Sequence, residues 1–124
     1  MDIIISNTSG KPIYEQIILQ IKGYILDGTL KQGEALPSMR NLAQQLRISI
    51  ITTKRAYEEL EKDGFIESFT GKGSFVKAQD PELMKEEGLK QIEEYFFEAC
   101  EKAKMLNVSY NELSGLLEMI YKGE

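Results

Sequence analysis

Ile13, Ile17, Ile21, Tyr24 and Ile25 recur three and four positions apart, the spacing that aligns side chains on one face of an α-helix. Pro12 fits the first turn of that helix, where its missing N–H would have no partner in any case, and Gly28 is a suitable stop. Gly33 and Pro37 break the chain again, so Glu34 to Leu36 forms at most a short strand. The helical pattern resumes after Ser38, whose hydroxyl can accept a backbone N–H at a helix start. Leu42, Ala43 and Leu46 then face inward, and Arg40, Asn41, Gln44 and Gln45 face outward. A turn near Arg47 and Ile48 leads to Ser49, a second cap of the same kind. The third helix that follows buries Thr53, Ala56, Tyr57 and Leu60 and ends at Gly64. Ile51, Lys54, Arg55 and Glu58 are left toward solvent or a partner.

After Gly64 the pattern changes. Aromatic and β-branched residues over Phe65 to Phe69 and Ser74 to Lys77 flank Thr70-Gly71-Lys72-Gly73, whose glycines permit the positive φ of a tight hairpin. Asp80-Pro81 then reads as a capped helix start. Leu89, Ile92, Phe96, Ala99, Ala103 and Leu106 alternate spacings of three and four, the seam of a packed helix pair. Asn107 and Val108 interrupt it, and Ser109 with Glu112 forms a capping box that opens a last helix bearing Tyr110, Leu113, Leu117 and Ile120 on one face. Two such helices form a hairpin that cannot bury both seams by itself. The pattern predicts a mainly α chain with a small β-wing. Residues 1 to 78 form a helix-turn-helix domain with the wing, and residues 79 to 124 form an α-helical hairpin.

Composition removes several classes of function. No histidine is present, so the commonest metal ligand and general base is missing, and the single Cys100 cannot form an internal disulfide. There is no nucleophile with a paired base and no phosphate-cradling glycine loop before a helix, which argues against an enzyme and against a bound cofactor or metal. No apolar run approaches the ~20 residues of a membrane span, and the N-terminus lacks a secretory signal, so a cytoplasmic protein is expected. Cys100 reads as a small packing residue. Tyr95, Phe96 and Phe97 read as core or dimer interface, and Glu93, Glu94, Glu98 and Glu101 as a solvated face.

Charge changes the picture once it is divided. Residues 1 to 78 carry 10 basic and 9 acidic side chains and residues 79 to 124 carry 5 and 11, so the tail makes the net charge of -5. Within the first part, Leu36 to Tyr57 holds Arg40, Arg47, Lys54 and Arg55 and no acidic residue. Because phosphate attraction is screened over about 8 Å at physiological salt, an acidic tail held away from this stretch does not cancel it. In a helix-turn-helix the second helix of the motif enters the major groove with its N-terminal residues toward base edges, and the preceding helix bridges the backbone. That assigns Ser49 to about Asp63 as recognition helix. Backbone N–H groups at Ser38 and Ser49 can take phosphate oxygens, and a wing tip with Gly71 and Gly73 can approach a minor groove while Lys72 supplies charge. Arg47 and Arg55 suit phosphate clamps or partners for nearby glutamates.

The string PIYEQI…GEALPSMRNLAQQLRIS…TTKRAYEELEKDGFIESFTGKGSFV resembles the winged-helix domain of GntR-family transcriptional regulators, over about Pro12 to Val76. The short helical tail resembles that of the YtrA-type subfamily, which implies a dimeric repressor, often of an operon encoding an ABC transporter, with the tail serving dimerisation. On the matching positions the resemblance implies DNA contacts by Arg40, Thr52 and Lys54 and by the wing around Gly73. The candidate DNA-binding set is Ser38, Arg40, Ser49, Thr52, Thr53, Lys54, Arg55, Lys72 and Gly73. Ile50 departs from the family, many members of which place arginine or asparagine there; Ile50 and Ile51 can meet thymine methyl groups instead of donating hydrogen bonds. The expected partners are operator DNA and a second copy of the chain, with room for a small-molecule effector around Leu89 to Leu117. The alternative is a winged-helix module that binds protein, with Ile50 and Ile51 its main support and the basic run from Arg40 to Arg55 against it.

Overall fold

The computed structural model describes residues 1 to 123; Glu124, the last residue of the expected helical region, lies outside them. The elements in order are α1 (Ile13–Leu26), α2 (Met39–Leu46), α3 (Ile50–Lys62), β1 (Ile66–Phe69), β2 (Gly73–Val76), α4 (Pro81–Met105) and α5 (Tyr110–Lys122). They group into two compact units, Met1–Met84 and Lys85–Glu124.

In the first unit Ile17, Ile21 and Ile25 of α1 meet Leu42 of α2 and Ala56, Tyr57 and Leu60 of α3 in one buried cluster, closed by Leu30, Leu36, Phe65, Ile66 and Val76. Each fully buried isoleucine or leucine contributes roughly 1.5–3 kcal/mol, so this cluster is what holds the three helices together. The helix starts follow the capping expected of their sequences. Ser38 Oγ accepts from the Asn41 N–H at 3.0 Å, and Ser49 Oγ accepts from the Ile51 N–H at 3.1 Å. The turn between α2 and α3 requires Arg47 to take the left-handed conformation, φ 56°, so that its N–H and that of Ile48 can reach back to α2 carbonyls.

β1 and β2 pair antiparallel, with Ile66 opposite Val76 and Phe69 opposite Gly73. Between them the Lys72 N–H donates to the Phe69 carbonyl at 2.9 Å while Gly71 and Gly73 take φ 78° and 103°. A side chain at either glycine would meet no neighbour, so the requirement is conformational. The segment before Pro37 supplies a third, minimal strand. Ala35 bridges Phe75, the Leu36 N–H donates to Ser74, and the Val76 N–H donates to Glu34.

Residues 2 to 6 form an arm along α1 that the hydrophobic pattern did not foretell. Gln20 exchanges two hydrogen bonds with the backbone of Ile4, at 2.8 and 2.7 Å, and Gln16 does the same with Ser6, at 2.8 and 2.9 Å. Tyr24 Oη donates to the Asp2 carbonyl. Side-chain amides thus replace a neighbouring strand, and Ile3 and Ile5 pack against the core.

In the second unit α4 ends where Asn107 adopts φ 58° and the Val108 N–H donates to Ala103 at 2.8 Å. Ser109 Oγ caps α5 through the Glu112 N–H at 3.1 Å. Ala103 is the one buried residue of this unit among the described residues. Leu89, Ile92, Phe96, Leu106, Leu117 and Ile120, all expected on packed seams, stand exposed in the single chain. Cys100, expected to be a small packing residue, is also exposed.

Candidate nucleic-acid interface

Two buried hydroxyls on α3 set the geometry of the helix pair. Thr53 Oγ1 lies 2.9 Å from both the Met39 and the Ile50 carbonyls, sharing its one hydrogen between the first turn of α2 and the first turn of its own helix. Tyr57 Oη donates to the Pro37 carbonyl at 2.7 Å. Together they hold the start of α2 against α3. Thr53 is fully buried, and its hydroxyl is engaged on protein carbonyls. It presents no surface to a nucleic acid, so it is removed from the DNA-contacting set and acts as an internal brace.

The remaining candidates divide by their surroundings. Arg40, on the outward side of α2, is exposed and its side chain makes no hydrogen bond or ion pair among the described residues. Ser38 and Ser49 are exposed caps whose hydroxyls accept the Asn41 and Ile51 N–H groups, and the Thr52 N–H donates to the Ser49 carbonyl, so the anion donors that remain are the N–H groups of Met39 and Arg40 in α2 and of Ile50 in α3. Thr52 is half-buried, at the edge of the outward face of α3. Lys54 is exposed, with Nζ 3.9 Å from Glu58 one turn on. An exposed pair of this kind is worth only about 0.3–0.5 kcal/mol, so a phosphate can draw the lysine away. Lys72 and Gly73 are exposed at the wing tip.

Arg55 has a partner that sequence reasoning missed. Its guanidinium lies 3.7 Å from the centre of the Tyr14 ring, a cation–π stack between α3 and α1. Tyr14 lies three residues before Ile17 and is half-buried against the core, and nothing in the spacing shows that its ring meets an arginine of α3. Stacking restrains the arginine without using its N–H donors, which stay available for an acceptor. Eight residues on from each of these, Lys22 of α1 pairs with Asp63, the C-cap of α3, at 3.1 Å and sits 5.0 Å from the Phe65 ring centre. With matched contacts at matched intervals, α1 and α3 lie side by side and run in the same direction.

The second unit holds an apolar groove of about 460 Å³ lined by Tyr95, Phe96, Cys100, Tyr110, Leu117 and Ile120, among others. No helix among the described residues is long and apolar enough to cross a membrane.

Comparison with known proteins places this geometry. The chain is similar to the HTH-type transcriptional repressor YtrA of Bacillus subtilis, with 40% identity over 86 residues; the match covers 69% of this chain and 66% of that repressor, just under two thirds of its length. A GntR family transcriptional regulator from Listeria monocytogenes superposes with TM-score 0.72 at 26% identity, over 89% of this chain and 96% of that one. The DNA-binding domain of AraR, solved in complex with its operator ORX1, superposes with TM-score 0.54 at 25% identity, over 61% of this chain and 95% of that one. The family model described as "Bacterial regulatory proteins, gntR family" matches residues 13–76, which run from the first residue of α1 to the last of β2. With that match spanning all three helices and the wing, the chain belongs to the gntR family of bacterial regulatory proteins.

Proposed function

We propose that this protein is a homodimeric transcriptional repressor that binds a palindromic operator, placing α3 of each protomer in the major groove and the Lys72 wing tip beside it. The observation that carries the reading is the exposed basic set of α2 and α3. Arg40, Lys54 and Arg55 project from helices whose buried sides are fully occupied, within a stretch that contains no acidic residue. The operator complex of AraR supports DNA as the ligand, and the repressor named YtrA supports the sign of regulation. The likeness to YtrA-type regulators favours a transporter-type operon as the target. A partner of this kind puts the protein in the cytoplasm.

Residues 1 to 78 serve as the DNA-binding part and residues 79 to 124 as the dimerisation part. A dimer sets the half-sites about 34 Å apart, one turn of the duplex, and doubles phosphate contacts that are too few in a single domain. The exposed apolar faces of α4 and α5 supply its interface. An effector that binds two packings of these helices unequally would alter operator affinity by that difference.

Selection of binding sites from random duplex DNA tests the whole reading. Enrichment of a palindrome with half-sites one helical turn apart, bound more weakly as salt rises, is the expected result. No enriched sequence, or binding indifferent to salt, overturns it.

A further inference from the structure

In α1 to α3 the exposed large apolar side chains, among the described residues, are Ile50 and Ile51, 42% and 74% accessible. They are the first two residues of α3. The core does not need them. Thr53, Ala56, Tyr57 and Leu60 already fill the buried side of the helix, and at 3.6 residues per turn Ile51 projects almost directly away from that set, with Ile50 on its flank. Lys54 and Arg55 border the same outward side one turn on.

A pair of isoleucines is too small to anchor a protein partner, since stable protein interfaces cover about 800 Å² on each side. Its cationic neighbours fit a polyanion better. Ser49 Oγ occupies the Ile51 N–H, so this residue has neither a side-chain nor a free backbone donor for a base edge. Along the major-groove floor the one apolar group that a base offers is the C5 methyl of thymine. β-branched side chains on a helix hold largely one χ1 rotamer, so little freedom is lost when such a contact forms.

We infer that Ile50 and Ile51 are specificity-determining residues that select thymine in each half-site by packing on its methyl group, Ile51 at the centre of the contact and Ile50 beside it. This inference rests on the DNA-binding reading above. It assigns base selection to apolar contact and leaves Arg40, Lys54 and Arg55 to anchor the backbone.

The experiment replaces each thymine of the selected operator by deoxyuridine, which removes the methyl and keeps the hydrogen-bonding edge. Binding is titrated with the wild-type dimer, with Ile51→Ser and with Ile51→Val. At one or two positions per half-site the wild type should lose about fourfold in affinity per methyl removed. Ile51→Ser should bind the thymine operator more weakly and respond less to the exchange, and Ile51→Val should keep most of the wild-type response. Exposure of the side chain leaves the fold intact in both variants, which circular dichroism checks. A selected operator whose thymines can all be exchanged without effect overturns this inference alone, as does an equal response in wild type and Ile51→Ser. Failure to select any DNA overturns it together with the parent reading.

Discussion

Tyr14 and Tyr57 show how single side chains position a surface they do not form. Stacked under Arg55, Tyr14 limits where the guanidinium can go, so less freedom would be lost if it were to meet a phosphate, as the proposed function requires. Tyr14→Leu should weaken operator binding several-fold while Tyr14→Phe retains it, and titration of both against Arg55→Ala checks the order. A loss in Tyr14→Leu that persists on an Arg55→Ala background would point to packing instead of positioning. Tyr57 is buried with its hydroxyl on the Pro37 carbonyl, and burial pushes its pKa above the ordinary 10.0. The unfolded chain would ionise this phenol near its ordinary value and the folded chain resists, so the stabilisation is whole below about pH 10 and is lost as pH rises beyond it. Tyr57→Phe should cost about 1 kcal/mol at neutral pH and show a shallower decline in alkali, read from urea unfolding at both ends of the range.

Among the elements, the helices were the legible part, because each announces itself by an apolar face and a capping residue. Ser38, Ser49, Asp80 and Ser109 all accept the backbone N–H groups expected of them. The wing was legible for a different reason, since Gly71 and Gly73 mark positive φ directly. Contacts that join elements were not. The Thr53 brace, the Tyr14 stack and the glutamine-bound arm depend on which residues meet in space, and no periodicity encodes that. The turn after α2 is a further case, for an arginine there gives no hint of a left-handed backbone. Holding Arg47 at φ 56° costs roughly 1 kcal/mol that glycine would not incur. Arg47→Gly should therefore raise the unfolding free energy by up to about that amount, as measured by denaturant titration, provided the gain exceeds the added flexibility of the unfolded chain. Unchanged or lower stability would show that the backbone strain at Arg47 is offset, by the freedom glycine gives the unfolded chain or by contacts of the arginine side chain.

For the molecule as a whole, the contrast between its two units makes association the main expectation. The first unit has a closed core, while the second leaves Phe96, Leu117 and Ile120 in contact with water. Exposed apolar surface on that scale marks an interaction site. Ile120→Glu should shift the protein to monomer in sedimentation and reduce operator affinity, with the first unit still folded. A monomeric variant that kept full affinity would remove the need for a dimer. The arm along α1 bears on such experiments. It runs antiparallel to the helix, pairing Asp2 with Tyr24 and Ser6 with Gln16, so Met1 lies toward the C-terminal end of α1. Since α1 and α3 run in the same direction, that is the end beside Asp63 and away from Ile50 and Ile51. A fluorophore or affinity handle joined at Met1 would therefore emerge at the opposite end from Ile50 and Ile51, which makes the arm an attachment point for following operator binding away from the proposed thymine contact.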